Sequence, residues 1–135
     1  MSVDLAATSV ASRPEAIRRT VLIVDHRESI RRVLGALLEG EGFHSVTAND
    51  ADSIIPLALE ITPDLVTLDV ARLDSIGAAV LRALKAHPIL RQIPVVALVG
   101  SRATRDLAGQ LGAAALLSTP VDLDELLARV KAIAA

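Results

Sequence analysis

Two short apolar runs, each closed by an aspartate, leave this chain few folds to choose from. Val21-Leu22-Ile23-Val24 runs into Asp25, and Leu65-Val66-Thr67-Leu68 runs into Asp69. An unbroken apolar run of this length, bounded by turn residues, is the pattern of a strand covered on both faces, as in a parallel sheet with helices above and below. Open sheets of that kind keep their sites outside the carboxyl ends of the strands. The two carboxylates therefore belong to the edge of the sheet where chemistry is placed.

Strand and helix signals alternate along the rest of the chain. Ile30, Val33, Leu34, Leu37 and Leu38 recur at helical spacing, and Gly40 and Gly42 stop that helix. A short strand spans Phe43 to Ala48. The next helix, about Ser53 to Ile61, contains Pro56, which a first turn tolerates and an interior does not, so the helix is expected to start late or kink. Pro63-Asp64 turns into the strand ending at Asp69, and a third helix from about Gly77 to Ala86 carries Val80, Leu81 and Leu84 inward, closed by Pro88. Val95 to Val99 is the fourth strand. Ser101 caps a helix that reaches Leu111 and ends at Gly112. Ala115 to Ser118 is the fifth strand, and Thr119-Pro120 leads to a last helix with Asp122 and Glu125 in capping-box spacing. Its inward stripe is Leu123, Leu126, Leu127, Val130 and Ile133. Residues 1–19 show no sustained period and read as a flexible arm, leaving residues 20–135 as the folded unit.

Five strands alternating with five helices need right-handed crossovers and a sheet covered on both sides. The flavodoxin-like (βα)5 fold, a doubly wound parallel sheet of order 2-1-3-4-5, satisfies this α/β pattern. Strands one and three are then neighbours at the switch point, which brings Asp25 and Asp69 together.

Composition removes several classes of function. The formal net charge is −2 across 135 residues, so the chain lacks the basic face that nucleic acid binding needs. Phe43 is the single aromatic, which excludes base stacking on an aromatic platform. Arg31 and Arg32 lie in a helical pattern and read as a solvated face. No apolar stretch is long enough to span a membrane, and the start lacks a signal peptide, so the expected location is cytoplasmic. There is no cysteine, which rules out thiolate chemistry. His44 and His87 sit on separate elements and read as surface residues.

The segments Val21 to Asp25, Pro63 to Asp69, Ile93-Pro94-Val95-Val96 and Asp122 to Leu127 resemble the receiver domain of two-component response regulators, over the whole stretch from Thr20 to the C-terminus. That resemblance implies a phosphoacceptor at Asp69, supplied by a histidine kinase and assisted by Mg2+. The implied metal ligands are Asp25, Asp69 and the backbone carbonyl of Ala71. A carboxylate that attacks phosphorus needs little covalent help, so the remaining work is charge neutralisation and positioning.

Four site positions, and one residue pair beside them, depart from the family pattern. His26 stands where the second acid of the strand-one pair binds metal, and imidazole is a poor Mg2+ ligand. Val99 replaces the hydroxyl residue after strand four, and Thr119 replaces the lysine before Pro120, so both phosphate contacts are lost. Leu116 replaces the switch aromatic of strand five. Ala114-Ala115 takes the place of an acidic pair used for dimer salt bridges in one subgroup. Asp25 reads as a structural acceptor of backbone hydrogen bonds, and a protonated His26 beside Asp25 and Asp69 could stand in for the missing cation. The Thr119-Pro120 bond is expected to be cis, as the resemblance implies.

The sequence thus points to an atypical, stand-alone receiver that signals mainly through protein contacts, with Mg2+-dependent phosphorylation of Asp69 weak or lost. The expected contact face comprises Arg102, Arg105, Leu116 and Arg129, facing a histidine kinase or downstream effector, and a homodimer is compatible with it. A conventional phosphorelay receiver phosphorylated on Asp69 is the alternative. An independent small α/β enzyme with Asp69 as nucleophile is more remote. A dehalogenase-like phosphatase would place a second acid at Ala71, and a flavodoxin would have a Ser/Thr/Gly-rich loop in place of His26-Arg27-Glu28-Ser29.

Overall fold

The computed structural model describes residues 18–48 and 50–134. Five strands, β1 (Thr20–Val24), β2 (His44–Ala48), β3 (Leu65–Val70), β4 (Val95–Val99) and β5 (Ala115–Ser118), form one sheet of order β2-β1-β3-β4-β5, with every pairing parallel. Between and after them lie α1 (Glu28–Gly40), α2 (Ala51–Ile61), α3 (Ile76–Ala86), α4 (Arg102–Gln110) and α5 (Leu123–Ala134), with a short 3-10 turn at Leu90–Gln92. The strand order is the one the apolar runs require. The proposed arm over residues 1–19 falls outside the described residues except for Arg18 and Arg19, which pair with Glu39 and Asp64 at 3.5 Å each.

The sheet divides the core in two because alternate side chains of a strand point to opposite faces. Leu22, Val66, Leu68, Ala97 and Val99 pack against the α2, α3 and α4 side with Ile54, Ala58, Leu81 and Leu84. Val21, Ile23, Leu65, Val96 and Leu98 pack on the other side with Leu34 and Leu38 of α1 and Leu126 and Val130 of α5. All six residues of β3 are buried, as expected for the strand flanked by β1 and β4. Among the described residues no helix is long and apolar enough to cross a membrane.

Several local expectations are corrected. Helix α2 begins at Ala51, ahead of the expected Ser53, because Asp50 caps it and accepts the Asp52 amide at 3.1 Å. Pro56 is carried inside the helix on an exposed position, where the absent N–H forfeits only the bond to the carbonyl of Asp52. In α1 the buried residues are Leu34 and Leu38, whereas Val33 is 44% exposed, so the apolar stripe is narrower than its periodicity suggests. Helix α4 has the Ser101 cap that was expected, closed reciprocally by Thr104. In α5 the Asp122 carboxylate accepts the amides of Asp124 and Glu125 at 2.9 and 3.1 Å.

Among the described residues, one buried polar side chain in the core is without compensation. Thr67, in the middle of β3, is 1% exposed, and its hydroxyl has no hydrogen-bond partner. A buried hydroxyl left unpaired costs about 1–3 kcal/mol, and valine has nearly the same shape. Thr67→Val should therefore stabilise the protein by about 1 kcal/mol or more, read as a higher urea midpoint at unchanged slope.

Candidate functional site

The crevice forms where β1 and β3 leave the sheet side by side. Strand β3 continues past the apolar run to Val70, so Asp69 lies inside the strand, opposite Leu98 of β4. Asp25 follows directly on β1. Both carboxylates are withdrawn from solvent, with Asp25 3% and Asp69 8% exposed. They line a cleft of about 590 Å3 with Val24, His26, Ala71 and Ile76.

Close backbone packing fixes the far wall. Gly77, in the first turn of α3, lies so near the strand that a Cβ there would sit 1.7 Å from the carbonyl oxygen of Asp69. Ser75 caps the helix and accepts the Ala78 amide at 3.2 Å. Helix α3 therefore abuts the strand end that carries Asp69. Neither the strand backbone nor the helix can yield cheaply, so Gly77→Ala should cost about 2–3 kcal/mol or more, measured by chemical unfolding.

The residues beside Asp25 satisfy it completely. The Arg27 amide donates to Asp25 Oδ1 at 2.9 Å, and the guanidinium grips both oxygens, Nε to Oδ1 at 3.0 Å and Nη2 to Oδ2 at 2.9 Å. Arg31 donates from Nη1 to the Asp25 carbonyl oxygen at 2.7 Å. The backbone bond to Asp25 was expected. The two arginines were not, and Arg31 is no longer part of a purely solvated face. Arg32 alone fits that description, paired with Glu28 at 2.8 Å on an exposed surface.

Asp69 is satisfied more thinly. His26 Nδ1 lies 2.8 Å from its Oδ2 and 3.8 Å from Asp25 Oδ1, while the imidazole itself is 68% exposed. Among the described residues no donor reaches the other oxygen of Asp69. Burial first, and the Asp25 charge second, raise the Asp69 carboxyl above the ordinary range, against the opposing pull of Arg27 and His26.

The other predicted positions separate from this cluster. Val99 and Thr119 line a second cleft of about 520 Å3 with Ser101, Arg102, Arg105 and Ser118. The Thr119 hydroxyl turns back to the Val99 carbonyl at 3.4 Å and the Thr119 amide donates to the same oxygen at 3.0 Å. Leu116 packs half-buried against the core, its Cδ1 3.7 Å from where a Cβ on Gly109 would stand. The Thr119-Pro120 bond is cis, as expected. Arg102, Arg105 and Arg129 are exposed, with Arg105 donating to Ser118 Oγ at 2.8 Å. His87 accepts the amides of Ile89 and Leu90, and His44 lies 3.9 Å from Glu39, so neither joins the crevice.

One ligand atom each from Asp25, His26 and Asp69 can be chosen so that all lie within 4.8 Å of one another. That spacing suits a cation, but the donors are not those of Mg2+. This ion requires a tight octahedron of oxygens, whereas one member here is an imidazole and another already has both oxygens on a guanidinium.

A doubly wound parallel sheet with paired carboxylates at its switch point, one of them near the end of β3, is the arrangement of a receiver-type signalling module. The sequence matches the response regulator receiver domain family over residues 21–131, and the chain belongs to that family, whose members are signalling modules rather than enzymes. Receiver domains typically bind Mg2+ at this acidic pocket. The phosphate regulon transcriptional regulatory protein PhoB of Klebsiella pneumoniae is 34% identical over 117 residues, covering 85% of this chain and 51% of PhoB. The response regulator PleD of Caulobacter vibrioides is 35% identical over 115 residues, covering 84% and 25%. The chain thus spans about half the length of PhoB and a quarter of that of PleD. Among solved structures, NtrX from Brucella abortus is 30% identical with a TM-score of 0.75, covering 87% of this chain and 26% of NtrX. The receiver domain of Klebsiella pneumoniae RstA, 22% identical with a TM-score of 0.75 and coverage of 86% and 98%, shares the fold.

The raised Asp69 carboxyl carries a pH signature. The folded state holds the proton more tightly than the unfolded chain, whose carboxyl titrates near about 4. Its contribution to stability is complete below that value and is lost as pH rises through the raised folded value. Asp69→Asn should therefore melt above the wild type at neutral pH, and calorimetry should show the difference closing as the pH falls into the carboxylate range.

Proposed function

We propose that this chain is an atypical receiver that works in two-component signalling mainly through protein contacts, with Mg2+-dependent phosphorylation of Asp69 weak or lost. The observation that carries this reading is the bond from His26 to Asp69 Oδ2. An imidazole on the acceptor oxygen occupies the nucleophile at the position from which an acid would deliver the metal. The phosphate contacts are missing as well. Val99 has no hydroxyl, and the Thr119 hydroxyl is spent on a backbone carbonyl.

The contact face is formed by α4, β5 and α5. Arg102, Arg105 and Arg129 give it exposed positive charge, and Leu116 supplies apolar surface at its centre. Such a face fits an acidic or mixed surface on a histidine kinase or an effector, whether the chain acts alone or within a longer protein. The reading places the module in the cytoplasm, where two-component phosphotransfer takes place.

A conventional phosphorelay role is favoured by one feature: among the described residues, no donor reaches the second oxygen of Asp69, a residue that lines the cleft. Incubation with acetyl phosphate and Mg2+, followed by intact mass measurement, separates the two. Wild type is expected to show no phosphoryl adduct beyond that of Asp69→Asn. A near-stoichiometric adduct that disappears in Asp69→Asn would establish the conventional reading instead.

A further inference from the structure

We infer that Arg27 is the resident counter-cation of the crevice, holding through its guanidinium the carboxylate that a divalent ion would require. This rests on the reading above and supplies its cause. Asp25 receives three hydrogen bonds from this one residue, two of them from the planar fork that matches a carboxylate edge to edge. The carboxylate is almost wholly buried, and the Arg27 side chain is 38% exposed. A metal would have to break this pair and leave the guanidinium to find new solvation.

The surroundings keep the pair in register. Arg31 holds the Asp25 carbonyl from the first turns of α1, so the end of β1 and the start of the helix are joined through one residue. Arg27 is itself the residue that precedes α1, and its side chain makes no cap bond to the helix. It turns instead toward Asp25. The bond to Asp25 raises the affinity of the guanidinium for its proton, so the charge is permanent at any working pH.

A guanidinium neutralises without substituting for a metal. It has no open coordination positions to clamp phosphoryl oxygens, and it cannot be removed by a chelator. Its presence makes the geometry of the crevice independent of divalent ions. The sequence spacing supports the assignment, since a residue two places after an aspartate is well placed to give that carboxylate its amide and then fold its own side chain back.

The test is a Mg2+ titration followed through the amide resonances of Val70 and Ala71 and the Nε–H resonance of Arg27. It compares wild type, His26→Asp, and His26→Asp combined with Arg27→Gln, a change that keeps the stem and the backbone amide. Arg27→Ala in the same background is the second version, and circular dichroism shows that each protein is folded. His26→Asp restores an all-oxygen ligand set, so it isolates the competition from Arg27. The expected result is that removing Arg27 from the His26→Asp protein tightens Mg2+ binding at least about tenfold, equivalent to about 1.4 kcal/mol. In wild type the Arg27 Nε–H signal should stay in place as Mg2+ is added. Equal Mg2+ affinity with and without Arg27 would overturn the assignment. Saturable Mg2+ binding by wild type, together with the tenfold tightening when Arg27 is removed from the His26→Asp protein, would leave Arg27 in this role while removing the reading of a metal-poor site.

Discussion

The burial of β3 on both faces is the constraint from which the site follows. A strand with six buried residues must have sheet on either side and helices above and below, which fixes the strand order and forces the crossovers. Within that strand the only places for a carboxylate are at its end, where the helices part. Asp69 is pushed to the opening by the same packing that makes the core, and β1, held in register with β3 from Val21 to Val24, delivers Asp25 beside it. Two like charges then meet in a poorly solvated setting, which is unfavourable until something positive is supplied.

The chain supplies that charge from its own side chains. Arg27 donates to both carboxylate oxygens of Asp25, Arg31 donates to its backbone carbonyl, and His26 lies against one oxygen of Asp69. On the opposite side of the sheet edge the changes run in the same direction. Val99 and Leu116 meet the core through apolar contacts, and Thr119 bonds the backbone.

Most of the architecture was legible in the sequence because strand burial leaves a direct mark: Val21 to Val24 and Leu65 to Leu68 could be little else. Asp25, His26 and Asp69 come together because each is fixed relative to a strand end, whereas Thr119 lies in a separate cleft with Val99. Arg27 was not, since whether a surface-prone arginine extends into solvent or folds back on a neighbour depends on a rotamer, not on periodicity. Val33 and Pro56 failed for a related reason. Helical spacing tells which residues share a face but not how wide the covering surface is, and Pro56 was allowed to outweigh the cap at Asp50. The unpaired hydroxyl of Thr67 was invisible, because a β-branched residue in a strand reads as favourable whichever atoms it buries.

The packing of Gly77 on the Asp69 carbonyl gives the crevice a mechanical axis. Two backbone segments pressed together without an intervening side chain behave as one rigid piece, since close-packed contacts pass displacement on where loose ones absorb it. A partner that tilts α3 would tug on the backbone of Asp69, and a force on that backbone would reach α3 directly. With Val99 and Leu116 lacking a polar link to exchange, this backbone contact ties the site to α3.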